Sequence, residues 1–281
     1  MNRKFALTGY PLGHTMSPPI HAALFRMAGK EGEYGICEIP PEEVGTRYPE
    51  MLREYDGFNV TIPHKQAVIP YLDRLAPSAE RYGAVNVVDC AGEETVGYNT
   101  DVDGFLRSVA AMGAVINGRD ILLLGCGGAG RMIAIESAWQ GASSLTIAVR
   151  EADLSMANAL AEDVRSVRAE LPVTVTTLDH ITGQYHLMVN ATPVGMYPHT
   201  DEAPVKPEVL RQTEYLLDII YNPAETLLMR YAKEADVPYS GGMSMLVWQA
   251  VVAHEIWDHD TYEVAEVEAL IREMEAQMHA R

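Results

Sequence analysis

A glycine-rich hexapeptide, Gly125-Cys126-Gly127-Gly128-Ala129-Gly130, follows directly on an apolar run at 121–124 and precedes a helix-like stretch at 132–139. Strand, tight turn and helix in that order give the G-x-G-x-x-G pattern its physical meaning. Gly125 permits the turn, and Gly127 lets a pyrophosphate approach the backbone. Gly130 lets the helix pack closely, and the helix N-terminus faces the anion. An ordinary glycine-rich turn needs neither the strand before nor the helix after. The segment is therefore read as a dinucleotide cradle made of Gly125, Gly127, Gly128, Ala129 and Gly130.

The next strand-like run, 145–149, ends at Arg150, 20 positions after Gly130. An acidic residue at this distance receives the ribose hydroxyls of NAD, whereas a basic one receives the 2′-phosphate of NADP. A planar guanidinium grips phosphate and stacks on adenine, so Arg150 favours NADP. Glu151 and Asp153 argue for NAD. NADP is the expected cofactor and NAD the alternative.

Short strand-like and helix-like stretches alternate through the chain. The first part offers strands at 5–8, 34–39, 57–62 and 84–89, with helical patterns at 17–28, 42–54 and 72–82. The middle offers strands at 121–124, 145–149, 173–178, 187–189 and 215–219, with helices at 129–140 and 153–170. The end is helical at 224–235, 243–257 and 262–279. Such alternation predicts an α/β protein with mostly parallel sheets. At 281 residues two domains are expected. One is an α/β substrate-binding domain at 1–104, completed by the helices of 243–281. The other is a Rossmann-type dinucleotide-binding domain at 105–242.

Composition excludes several other classes. A net charge of −18 repels phosphate backbones, so nucleic acid is not an expected partner. Cys37, Cys90 and Cys126 are odd in number and widely spaced, which suits neither a disulfide framework nor a zinc site, and no metal is expected. The apolar run after Arg3-Lys4 is too short for a signal peptide, and no segment approaches the about 18 apolar residues of a membrane span. A cytoplasmic protein with a small-molecule substrate is expected, as a monomer or homodimer.

Several polar residues stand where chemistry would need them. In Asn59-Val60-Thr61-Ile62-Pro63-His64-Lys65, Asn59 and Thr61 share one face of an extended chain. Lys65 then follows a strand end, where ligands of α/β sheets collect. A lysine held there can exchange protons with a ligand, although a lone lysine after a strand is ordinarily a surface residue. Asp101 ends Gly97-Tyr98-Asn99-Thr100-Asp101 and, taken alone, reads as a helix cap. Ser17 before Pro18 reads as an N-cap with proline first in the helix; a helix N-terminus lined by hydroxyls also suits a carboxylate. Gln249 sits in the apolar run 245–252, where its amide needs a partner.

These segments together resemble the shikimate dehydrogenase family almost end to end. The stretch 9–18 (GYPLGHTMSP) is similar to its carboxylate-binding loop, and NVTIPHK at 59–65 to its catalytic-lysine motif. GAVN at 83–86, GYNTD at 97–101, GCGGAG at 125–130, NATPVGM at 190–196, DIIYNPAETLL at 218–228 and GGMSMLVWQA at 241–250 follow in the family's order. The resemblance implies that Thr15 and Ser17 bind a substrate carboxylate, with Tyr221 nearby. It implies that Asn59, Thr61, Asn86, Asp101 and Gln249 hold ring hydroxyls, and that Lys65 and Asp101 form the catalytic pair. It assigns the glycine loop, Arg150, Ile219 and Gly242 to the cofactor.

The activity implied is reversible NADP-dependent reduction of 3-dehydroshikimate to shikimate, in chorismate and aromatic amino acid biosynthesis. Four positions depart from the family's common pattern. Thr15 stands for serine, Gly241 for aspartate and His254 for phenylalanine, and Arg150 lacks its usual basic neighbour and gains Glu151. Two alternatives therefore stay open: an NAD-linked quinate/shikimate dehydrogenase, and a catalytically silent paralogue that binds shikimate-like ligands.

Overall fold

A computed structural model describes residues 3–13 and 15–279; His14, within the 9–18 segment, lies outside them. The chain divides into two compact units, Met1–Gly104 with Leu246–Met274, and Phe105–Met245 with Glu275–Arg281. Both are α/β.

The first unit contains β1 (Arg3–Gly9), α1 (Ser17–Met27), β2 (Gly32–Glu38), α2 (Val44–Glu54), β3 (Gly57–Val60), β4 (Arg74–Leu75), α3 (Pro77–Tyr82), β5 (Val87–Asp89) and β6 (Val96–Tyr98), and α4 (Asp101–Ala111) begins in it. Its sheet has the order β2-β1-β3-β5-β6-β4. β1 runs parallel to β2 and β3, while β5 is antiparallel to β3 and β6. Alternation along the strands gives each face its own core. Phe5 and Val87 meet Phe25 of α1 with Ala253 and Trp257 of a C-terminal helix. Ala6, Phe58, Val60 and Val88 meet Tyr48 and Met51 of α2 and Ala79 of α3. Gly57 is required beneath that C-terminal helix: a Cβ there would lie 2.4 Å from the Trp257 indole nitrogen.

Two local expectations are corrected here. The 72–82 run is not one helix: Arg74–Leu75 pairs with β6, and the helix begins only at Pro77. The residue before a proline is pushed towards extended backbone, and Ala76 adopts it at ψ 157°. Ser17 is not an N-cap either. It is the first helical residue, Met16 is the cap, and the Ser17 N–H donates to Thr15 Oγ1 at 3.1 Å.

The second unit continues with β7 (Asp120–Leu124), α5 (Gly128–Trp139), β8 (Ser144–Val149), α6 (Leu154–Val167), β9 (Val173–Thr177), β10 (Tyr185–Asn190), α7 (Pro207–Leu210), β11 (Thr213–Asp218), α8 (Leu227–Glu234) and β12 (Tyr239–Ser240). Then α9 (Gly242–Asp258) and α10 (Val264–His279) complete the chain. All pairings in the order β12-β11-β10-β7-β8-β9 are parallel. Ile121, Leu122, Leu123 and Leu124 have no exposed surface, as a parallel strand covered on both faces requires. Counted from β7, this is the doubly wound 3-2-1-4-5-6 order, whose ligand crevice lies where the order reverses, at the ends of β7 and β10. Among the described residues no helix is long and apolar enough to cross a membrane.

Candidate active site

Lys65 leaves the end of β3 on a turn that the backbone holds firmly. The Val85 N–H donates to the Lys65 carbonyl at 2.7 Å, and buried His64 bonds the Ile39 carbonyl through Nε2 at 2.6 Å. The Lys65 ammonium donates to Asp101 Oδ2 at 2.5 Å. Asp101 is the first residue of α4, and its other oxygen accepts from Asn86 Nδ2 at 2.9 Å. Its carboxylate thus serves Lys65 and Asn86.

Asn86 organises this cluster. Its Nδ2 also lies 3.1 Å from Gln249 Oε1 and 3.1 Å from Thr100 Oγ1, and its Oδ1 accepts from the Thr100 N–H at 2.7 Å. Gln249 is buried and spends its own N–H on the Leu246 carbonyl at 3.1 Å. The Thr100 hydroxyl donates to the Gln249 carbonyl at 3.0 Å, tying α9 to the start of α4. Lys65 and Asp101 keep 29% and 23% of their side-chain surface exposed, so the pair can reach a ligand. An ammonium has three donors and Asp101 takes one. The others are available to an oxygen on which negative charge develops.

Thr15 and Ser17 stand together, the Thr15 hydroxyl donating to Ser17 Oγ at 3.3 Å. Asn59 is buried on β3, and Tyr34 donates to its Oδ1 at 2.7 Å. Thr61 follows β3, its N–H bonded to the Thr8 carbonyl at 2.8 Å. Its methyl group would lie 2.5 Å from a Cβ on Gly9, so the start of the 9–18 loop must be glycine. Lys65, Asp101, Asn86, Gln249, Asn59, Thr61, Thr15 and Ser17 all belong to the first unit.

Tyr221, Ile219, Gly242, Arg150 and the glycine loop belong to the second. Gly125 has φ +96°, and a Cβ there would lie 3.0 Å from the Ala191 carbonyl oxygen. A Cβ on Gly130 would lie 2.6 Å from the Gly125 carbonyl oxygen, so glycine there lets α5 close onto the loop. Gly127 and Gly128 face open space and, with Ala129, are exposed at the helix N-terminus. Free backbone donors there suit a pyrophosphate. Gly242 opens α9 against Ile219, where a Cβ would sit 2.1 Å from the carbonyl oxygen. Tyr221 is half-buried, and burial raises its phenol pKa.

Below these positions lies a buried polar lock. Asp218 accepts from Asn190 Nδ2 at 3.0 Å, from the Thr226 hydroxyl at 2.6 Å and from the Ile220 N–H at 3.2 Å. Asn190 also receives the Thr192 hydroxyl at 2.7 Å, which fixes the 190–192 turn beside Gly125. Burial pushes the Asp218 carboxyl up to about 6, against those hydrogen bonds.

Arg150 is 72% exposed and its Nε donates to Asp153 at 2.7 Å. Both charges act on the Cys126 thiol of the glycine loop, whose pKa is raised first by burial. Asp153 therefore draws on the same guanidinium that a 2′-phosphate would use.

Sequence reasoning missed Thr100, although it lies inside the GYNTD segment, and it missed Tyr34, His21 and the Asp218 lock. For Tyr34 the only signal was a tyrosine in a strand-like run. One described group, His254, Asp258 and Asp260, places metal-type donor atoms within 4.8 Å of one another. Lys30 lies 2.5 Å from Asp260 and Arg3 pairs with Asp258, so cations of the protein already neutralise it.

The chain is similar to known proteins over most of its length. Residues 7–88 match the family model described as the shikimate dehydrogenase substrate binding domain. A shikimate dehydrogenase (NADP(+)) of Shouchella clausii is 37% identical over 260 residues, covering 92% of this chain and 93% of its own. A crystal structure of shikimate dehydrogenase in complex with NADP+ superposes with a TM-score of 0.87 at 32% identity, over 97% of this chain and 95% of that one. The Thermus thermophilus enzyme, in complex with NADP(H) and shikimate, gives 0.84 at 31% identity over 97% and 99%. This chain belongs to the shikimate dehydrogenase family.

Proposed function

We propose that the chain catalyses the reversible, NADP-dependent reduction of 3-dehydroshikimate to shikimate, a step of chorismate and aromatic amino acid biosynthesis. The observation that carries this reading is the Lys65–Asp101 pair, 2.5 Å apart and still partly open to solvent, set on an amide and hydroxyl cluster. Shikimate dehydrogenase relatives of full length support it.

NADPH, when bound, supplies the hydride to the ketone carbon, and the carbonyl electron pair moves onto oxygen. Lys65 stabilises that oxygen and donates a proton to it. Asp101 orients the ammonium through its 2.5 Å contact. Thr15 and Ser17 take the carboxylate, with Tyr221; Asn59, Thr61, Asn86 and Gln249 take ring hydroxyls. Gly125, Gly127, Gly128, Ala129 and Gly130 would cradle the pyrophosphate, with Arg150 at the 2′-phosphate, and Ile219 and Gly242 would also contact the cofactor. The 105–242 segment acts as the nucleotide-binding domain, and 1–104 with 243–281 as the substrate domain. Three free cysteines suit a reducing compartment, and we place the protein in the cytoplasm as a monomer or homodimer.

A second reading rests on Asp153, which occupies the Nε of Arg150. It leaves room for NAD, and with it for a quinate/shikimate dehydrogenase. Initial rates with shikimate and quinate, each with NADP and NAD, decide the matter. The highest kcat/KM with shikimate and NADP is expected; a preference for quinate with NAD favours the second reading, and no rate with any pair removes both.

A further inference from the structure

Tyr34 lies on β2, at the edge of the first sheet, with β1 between it and β3. The register pairs Tyr34 with Phe5, and Leu7 with Asn59, so Tyr34 and Asn59 point from the same face, two residues apart along the strands. Two strand spacings separate them laterally, about 10 Å. The tyrosine and asparagine side chains lean towards each other across that gap, and the Tyr34 hydroxyl donates to Asn59 Oδ1 at 2.7 Å.

This bond and the Asn86 carbonyl together decide which way round the Asn59 amide stands. With Oδ1 taken, only Nδ2 faces other partners. One of its hydrogens points to the Asn86 carbonyl over a long 3.4 Å, leaving the second for a ligand oxygen. The reversed amide would set its oxygen against the Asn86 carbonyl oxygen and require the phenol to turn its proton away, so the two contacts together hold the orientation.

The ring itself is clamped. Ser17, His21 and Phe25 stand four residues apart along one face of α1. The His21 ring stacks on Tyr34 with centroids 3.9 Å apart and planes 8° apart, and His21 Nδ1 meets His254 Nε2 of α9 at 3.1 Å. Burial pushes the Tyr34 phenol well above its ordinary pKa, with the Ser17 side chain pulling against that shift, so it keeps the proton that it donates to Asn59.

We propose that Tyr34 is a positioning residue for the substrate: it helps to fix the Asn59 amide with an N–H presented to a ring oxygen. The inference rests on the shikimate reading. An amide held this way selects a hydroxylated ring acid over an analogue lacking that oxygen.

Tyr34→Phe keeps the ring and its stack on His21 and removes only the hydroxyl. Tyr34→Phe, Asn59→Ala and the double variant are assayed beside the parent for kcat, for KM of shikimate and of NADP, and for melting temperature. Tyr34→Phe is expected to raise the shikimate KM about tenfold, with the NADP KM and melting temperature little changed. In the Asn59→Ala background the same change should have little further effect, because the hydroxyl acts through that amide. A shikimate KM within twofold of the parent, or full additivity with Asn59→Ala, overturns the inference while leaving the shikimate reading intact. A parent with no shikimate activity overturns the reading and the inference with it.

Discussion

Lys65 and Asp101 meet at 2.5 Å, and the carboxylate is held on its other side by Asn86 at 2.9 Å. The amide thus fixes the oxygen geometry that the ammonium meets, and substrate charge can develop beside a group already in place. Asp101→Asn keeps the shape and replaces one acceptor with a donor facing Lys65. It is expected to lower kcat by about a hundredfold, as removal of a proton-transfer partner does. The shikimate KM should rise as well on the proposal that Asp101 also binds a ring hydroxyl. Steady-state kinetics in both directions check this, because both share one transition state.

Ser17 has no capping hydrogen bond to lose: Met16 is the cap and makes no side-chain cap bond. A true serine cap replaced by alanine costs about 1 kcal/mol. Ser17→Ala should therefore leave the melting temperature nearly unchanged and chiefly raise the shikimate KM, as loss of uniform binding does. Paired measurements of KM and melting temperature separate the two roles.

Arg150, proposed to meet the 2′-phosphate of NADP, already donates to Asp153. A charge-assisted contact from an exposed guanidinium should give NADP a modest advantage, tenfold to a hundredfold or about 1–3 kcal/mol. Arg150→Ala should remove that advantage with little change for NAD. Asp153→Asn should widen it by freeing Nε. Added salt should narrow it, because the guanidinium is 72% exposed. The check is kcat/KM for both cofactors in the three proteins at two salt concentrations.

Two buried groups give acid stability opposite signs. His254 is depressed to about 4 by burial, with Lys30 and Arg3 adding to it and Asp260 opposing. Its neighbour His21 is lowered by burial and by His254. A histidine neutral in the fold and free to protonate when unfolded stabilises above about pH 6.5, and that stability is lost as pH falls towards 4. Asp218, raised to about 6, does the reverse: its contribution is present below about pH 4 and is lost as pH rises through 6. Each shift is worth on the order of 3 kcal/mol. His254→Phe should flatten the loss of stability on acidification, whereas Asp218→Asn should steepen it. Thermal unfolding followed between about pH 4.5 and 7 reads both; matching pH profiles for parent and variants contradict the assignment.

Legibility followed the physics of each element. The strands of the second sheet are apolar runs because both faces are covered, and β7 with its glycine loop could be read directly from residues 121–130. β4 and β12 are two residues long, and β6 only three, too short for any period to register. In 72–82 the periodicity suggested a helix, but Pro77 restarted the chain, and the Ala76-Pro77 pair was the available signal. At 15–17 a serine before two prolines looked like a cap, yet the Thr15 hydroxyl took the Ser17 N–H instead. Lys65, Asp101 and Gln249 each stood out for a different local reason and Asn86 only through the family resemblance, but their joining through Asn86 is a tertiary fact. Tyr34 and His21 carried no local sign, because their role depends on which strand lies beside β1.

Of all measurements, turnover by Lys65→Ala with shikimate and NADP both saturating, beside the parent protein, bears most directly on the proposed chemistry. Loss of the proton donor and acceptor should lower kcat by about a hundredfold or more, with the shikimate KM within a few-fold of the parent. A variant that turns over within a few-fold of the parent contradicts the assignment of Lys65 as the acid and base.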